Sequence, residues 1–256
     1  GIDAFLIEDI PWLASQGARI IVSIAGETAD EYATLARKLR SISGISAIEV
    51  NISCPNVESR GQVFACDPIA AAEVIASVRR NTAPGIPVLA KLSPDVTDIV
   101  AIAKAVVGAG ADGLSMINTL LGMVIDTDTM RPALAGVTGG LSGPAIRPVA
   151  VRCIYQVHAQ LPNVPILGMG GIRTGLDALE FVLAGASAVS VGTATFNDPS
   201  APVRIARELA VALAERGFTR FEDAIGYAHR TPEPHAAPGG VVAVHPVNPE
   251  DYIADG

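Results

Sequence analysis

The chain has 256 residues, half of them hydrophobic but only 4% aromatic, with 18 Lys and Arg against 26 Asp and Glu for a formal charge of −8. That length fits one large domain or two small ones, and an apolar mass made of Ala, Val, Ile and Leu suits parallel strands covered by helices on their faces. The acidic balance excludes a general binder of nucleic acid or anionic membranes, although a local site can still oppose it and take a small anion.

In chain order the sequence alternates short apolar runs with amphipathic ones. "RIIVSIAG" (19–26) reads as a strand. The helical stretch 28–43 follows, with Thr28 and Glu31 spaced as a capping box. "SAIEVNIS" (46–53) is the second strand, and the loop after it is long enough to act as a lid. Asp67 and Pro68 open a helix over 67–81, and "PVLAKLS" (87–93) is a strand. A helix follows over 95–110, stopped by Gly108, and then the strand "DGLSMINT" (112–119). A Gly- and Thr-containing loop reaches Gly143, and a helix spans 144–160 with Pro144 near its start. The strand "VPILGMGG" (164–171), a helix over 174–185, the strand "AVSVGTA" (188–194) and a helix over 201–217 complete the pattern.

Six βα units predict a parallel sheet. A doubly wound sheet would often carry G-x-G-x-x-G, but "GMGGIR" has Arg173 in place of the third glycine. A barrel collects its chemistry at the C-terminal ends of many strands. Polar and glycine residues do collect there: Ser23, Asn51 and Ser53, Lys91 and Ser93, Asn118 and Thr119, Gly170 and Gly171, Gly192 and Thr193. The expected fold is therefore α/β, a TIM (β/α)8 barrel with about six of its eight βα units in this chain. The two strands not found, and the start at Gly1 rather than Met, suggest truncation at the N-terminus. The expected domain is 1–230, followed by a Pro- and Gly-rich extended tail over 231–256 whose His235 and His245 lie in solvated coil.

Several strand ends suggest chemistry. The "GMGG" and "SVGTA" turns, adjacent in barrel order, suit a phosphate held by backbone N–H groups. Lys91 lies within a strand, where an unpaired ammonium is costly to bury. It suits neutralisation of an electron-rich ligand, or a Schiff base in a lyase. Asn118 and Thr119 can face a heterocycle or cap the following loop. Cys54 ends a strand among polar neighbours, so it is either a small buried thiol or an accessible nucleophile or base. Cys66 and Cys153 suit structural roles, and no spacing of Cys or His suggests a metal site. Three widely spaced cysteines suit a reduced, cytoplasmic setting, and no apolar run suits secretion or membrane spanning.

The segments "IEVNISCPNV", "AKLSPDVTDI", "GLSMINTLLGM", "TGGLSGPAIRP", "PILGMGGI" and "GASAVSVGTA" resemble the catalytic subunit of class 1B dihydroorotate dehydrogenases, in the family's order, from about Gly1 to about Arg230. The resemblance implies an FMN-dependent barrel that oxidises dihydroorotate to orotate in pyrimidine (UMP) synthesis. It makes Cys54 the base that takes the C5 proton, with hydride from C6 passing to the flavin. It assigns Asn51, Asn56, Asn118 and Thr119 to the pyrimidine. To the flavin it assigns Ser23, Asn51, Lys91, Ile117, Gly143, Gly170, Gly171, Gly192 and Thr193. Ser23 stands where relatives usually carry Asn. The family's substrate-contacting lysine would precede Gly1. The resemblance also implies a homodimeric core and a partner subunit carrying FAD and a [2Fe-2S] cluster that passes electrons to NAD; this chain has too few cysteines to hold such a cluster. Other readings remain: a class 1A-like enzyme using fumarate, a Schiff-base lyase built on Lys91, or a barrel that binds a phosphorylated ligand without catalysis.

Overall fold

The computed structural model describes residues 1–53 and 67–230. Cys54, Asn56, Cys66, the expected lid and the expected tail lie outside the described residues.

The main sheet has six strands: β1 (Ile20–Ile24), β2 (Ile45–Asn51), β3 (Val88–Leu92), β4 (Gly113–Met116), β5 (Ile166–Met169) and β6 (Ala188–Ser190). They pair in that order and every pairing is parallel. Six helices follow them: α1 (Ala29–Leu39), α2 (Pro68–Asn81), α3 (Ile99–Gly108), α4 (Arg147–Gln160), α5 (Gly175–Ala184) and α6 (Ala201–Glu215). Each successive helix packs on the one before it, so the helices form a single outer layer. The sheet is the curled βα array of a partial barrel. Among the described residues it stays open, with β1 and β6 as its edges.

The period of two along each strand divides the sheet into two faces. Ile48 and Val50 of β2, Ala90 and Leu92 of β3, and Leu114 and Met116 of β4 point to the helices and are almost wholly buried. They meet Val74, Ile75 and Val78 of α2, Ile102 and Val106 of α3, and Ile154 of α4 in one continuous core. Each of the larger side chains contributes about 1.5–3 kcal/mol on burial, which anchors the helical layer to the sheet. The other face carries Ser23, Glu49, Asn51, Lys91 and Ser115, and it is only partly covered: Ile21 there is 47% exposed. Cys153 is buried in α4, where desolvation pushes its thiol pKa up, as expected of a structural cysteine.

Helix starts follow local capping chemistry. Asp67 accepts the Ile69 N–H, with Pro68 at the first turn, as predicted. Thr28 accepts the Glu31 N–H, but Glu31 turns to the Glu27 N–H at 2.6 Å, so the expected box is only half made. A complete box forms instead at Thr174 and Asp177. The third helix starts at Ile99 rather than 95, because Asp98 accepts the N–H groups of both Val100 and Ala101 and so outcompetes the earlier Asp as cap. The expected loop before Gly143 contains two small antiparallel pairs, Leu120–Gly122 with Gly139–Leu141 and Ile125–Asp126 with Arg131–Pro132. The segment ahead of β1 is helical over Ile2–Ala4, Phe5–Asp9 and Ile10–Ser15. No described helix is long and apolar enough to cross a membrane.

Candidate functional site

At the C-terminal ends of the strands lies a cleft of about 410 Å³. That volume is in the range of small-molecule sites. Lys91, Ile117, Asn118 and Thr119 line one side of it, and Gly143, Gly170, Gly171, Gly192 and Thr193 the other. Nine residues singled out from the sequence are thereby brought together. Ser23 and Asn51 stand on the same face of the sheet but do not line the cleft.

Lys91 sits beside Asn51 on one neighbouring strand and Ser115 on the other. Its ammonium lies 3.9 Å from Oε1 of Glu49, which is itself 8% exposed. Ser23 donates its hydroxyl to the same oxygen at 2.8 Å. The barrel face of β1, β2 and β3 therefore holds a carboxylate between a hydroxyl and an ammonium. A counter-charge of this kind offsets part of the cost of placing a lysine inside a strand. Glu49 was not expected from the sequence as a site residue. Its signal was its position two residues before Asn51, on the same face by strand periodicity, in a strand next to one that carries a half-buried lysine.

The wall beside Lys91 is built by short polar contacts. Asn51 accepts the Ser53 hydroxyl at 2.7 Å and its N–H at 3.3 Å, and Tyr32 donates its hydroxyl to the Asn51 carbonyl at 2.7 Å. The Asn118 amide donates to the Ser53 carbonyl at 3.0 Å, while its backbone N–H is held by Leu92. The chain just past β2, immediately before Cys54 in sequence, is thus tied to the segment just past β4. Asn118 Oδ1 in turn accepts the Thr119 N–H at 2.9 Å.

On the opposite side the chain leaves β5 through Gly170 and Gly171, with φ of 126° and 82°. A methyl group on Gly171 would come within 2.6 Å of the Gly143 carbonyl oxygen. The two glycines thus allow the backbone turns of β5 and of the segment before α4 to close on each other. Asp177, largely buried, fixes the turn by accepting the N–H groups of Arg173 and Thr174, both at 2.9 Å, while its other oxygen takes the guanidinium of Arg147. Thr193 donates to the Ser142 hydroxyl at 2.9 Å across the cleft mouth. The result is a concave surface of glycine backbone, hydroxyls and one helix start, chemically suited to a phosphate. Asp177 and Ser142 were not expected from the sequence, since both act through pairings set by the fold.

Gly171→Ala is expected to abolish tight binding of a phosphorylated ligand in this cleft. It also costs about 1–3 kcal/mol of stability, because it adds a Cβ at positive φ against a carbonyl. Thermal unfolding together with ligand titration checks this; wild-type affinity in the variant would remove the turn from the site.

The family model "Dihydroorotate dehydrogenase" matches residues 1–213. A protein of Desulforudis audaxviator (strain MP104C) described as "Dihydroorotate dehydrogenase B (NAD(+)), catalytic subunit" is 54% identical over 231 residues, covering 90% of this chain and 74% of that protein. One of Geobacter sp. (strain M21), with the same description, is 53% identical over 226 residues, covering 88% of this chain and 73% of that one. A crystal structure of DHODH from Eimeria tenella in complex with ferulenol aligns with a TM-score of 0.67 at 26% identity, covering 79% of this chain and 58% of that chain. The chain therefore spans about three quarters of these curated relatives and somewhat over half of the solved one. With the parallel βα array and the cleft at its strand ends, these matches establish that the chain belongs to the dihydroorotate dehydrogenase family of oxidoreductases.

Proposed function

We propose that this chain is the catalytic part of an enzyme that oxidises dihydroorotate to orotate in pyrimidine synthesis, with FMN as its cofactor. The observation that carries this reading is the cleft itself, which combines a phosphate-suited glycine turn, the Lys91 ammonium and the amide of Asn118. These residues fit FMN: the glycine turn with Thr193 would take the phosphate, and Lys91 would face the ring. When bound, FMN supplies the hydride acceptor. Cys54 takes the C5 proton of dihydroorotate as general base. Asn51, Asn56, Asn118 and Thr119 orient the pyrimidine through its amide and carboxylate groups. Lys91 offers fixed positive charge where negative charge gathers during oxidation.

The same reading includes passage of electrons to NAD through a separate FAD- and [2Fe-2S]-bearing subunit, a homodimeric core and a cytoplasmic setting. Similarity to proteins described as NAD(+)-type catalytic subunits supports the electron route. Exposed Leu121 on the first small pair, Val124 between the two pairs and Met130, 81% exposed, in the turn of the second are in keeping with a surface that another subunit covers.

The test is anaerobic addition of dihydroorotate to the protein reconstituted with FMN. Bleaching of the bound flavin's visible band is the expected result. Bound flavin that stays oxidised would refute the substrate, and a protein that takes up no FMN would refute the cofactor. Reoxidation of the bleached protein by fumarate alone would favour the class 1A-like route over a partner subunit.

A further inference from the structure

Among the described residues, only Lys91 and Arg173 bring a full charge to the lining of the cleft, and no described carboxylate lines it. This holds in a chain whose overall formal charge is −8. The two cations differ in their surroundings. Lys91 has Glu49 behind it at 3.9 Å. Arg173 is exposed, and among the described residues its guanidinium has no carboxylate within ion-pairing distance.

Arg173 also lines a second, adjoining pocket together with Arg147 and Arg204. Those two guanidiniums are already engaged. Arg147 pairs with Asp177 and, at 3.2 Å, with Glu180. Arg204 pairs with Asp198 at 3.0 Å and Glu208 at 2.8 Å. The backbone of Arg173 is held on both sides: its N–H donates to Asp177 at 2.9 Å, and its carbonyl accepts from Arg204 at 3.3 Å. The side chain thus starts from a fixed point two residues past the Gly170–Gly171 turn, where the cleft meets solvent.

We propose that Arg173 closes over the phosphate of the flavin mononucleotide, and so makes the site select the 5′-phosphorylated flavin over riboflavin. This rests on the FMN reading above. The glycine turn and the hydroxyls of Ser142 and Thr193 offer hydrogen bonds but no charge to a phosphate, whereas a guanidinium offers both in a planar fork. A solvated arginine with no ligand would contribute almost nothing to either flavin.

The experiment titrates the full-length apoprotein with FMN and with riboflavin, following quenching of flavin fluorescence, for wild type, Arg173→Gln and Arg173→Lys. Arg173→Gln is expected to weaken FMN by about 10- to 100-fold and to leave riboflavin unchanged. The salt dependence of FMN binding should fall in parallel. Arg173→Lys should recover part of the FMN affinity. Equal weakening of both flavins, or no weakening of FMN, overturns the assignment while leaving FMN as cofactor. A wild-type protein that binds neither flavin overturns both. Because Arg173 is exposed, circular dichroism of the variants should match wild type.

Discussion

Cys54→Ser is expected to slow reduction of the bound flavin by dihydroorotate by about two to four orders of magnitude at neutral pH, the usual contribution of a positioned general base. The C5 proton is weakly acidic, and only a group present in its basic form can remove it. A free thiol ionises at about pH 8.5, so a useful fraction is thiolate near neutrality and any nearby positive charge increases it. A serine hydroxyl is essentially never ionised in this range. The wild-type rate should therefore rise with pH through the thiol's pKa, while the serine variant remains slow until far more alkaline conditions. Stopped-flow bleaching of the flavin across a pH series measures both. Cys54 lies outside the described residues. What supports its role is the contact from Asn118 to the carbonyl of Ser53, which draws the chain just before Cys54 to the cleft wall. An unchanged rate in the variant would remove Cys54 from the chemistry.

Lys91→Met should have two separable effects. The first is structural. Glu49 is 8% exposed, and the ammonium 3.9 Å away is the nearest cation to it among the described residues. Removing that ammonium leaves a buried carboxylate whose one partner among the described residues is the Ser23 hydroxyl, at a cost of about 1–3 kcal/mol. The second effect is electrostatic. A fixed cation beside the cofactor favours its reduced, more negative form. Without it the flavin potential should fall by about 30–80 mV, and the rate of substrate oxidation by about 10²–10³-fold. The double variant Lys91→Met/Glu49→Gln separates the two, because neutralising Glu49 removes the unpaired charge. Its melting temperature should return toward wild type while the potential and the rate stay low. If the double variant also recovers the rate, Lys91 serves only the strand and not the reaction.

The βα alternation was legible because its signals are local. Apolar runs such as that of β2 mark a strand from its own residues, and Asp67 and Pro68 mark a helix start within a few residues. Signals that compete locally were less legible. Asp95 and Asp98 both suit a helix cap, and only the geometry that lets Asp98 accept two N–H groups decides between them. The small antiparallel pairs between 120 and 141 escaped notice because their strands are two or three residues long and expose most of their side chains, so no alternation marks them.

For the site, the chemical types were visible in the sequence. A cysteine, amides, a strand lysine and paired glycines stand at successive strand ends, where a parallel barrel gathers its reacting groups. Which of them meet was decided by tertiary structure. Lys91 and the Gly170–Gly171 turn share the cleft, whereas Ser23 and Asn51 remain on the sheet beside it. Glu49 meets Ser23 from 26 residues away only because β1 and β2 pair in the register that sets them side by side. Arg173 is distinguished from Arg147 and Arg204 only by which carboxylates the fold brings to each. Hydrophobic periodicity and capping act over one turn or one strand, so the chain alone determines its elements and the kinds of groups at their ends. Charge pairing and cleft shape depend on strand register and helix packing between distant segments, and those exist only once the sheet has formed.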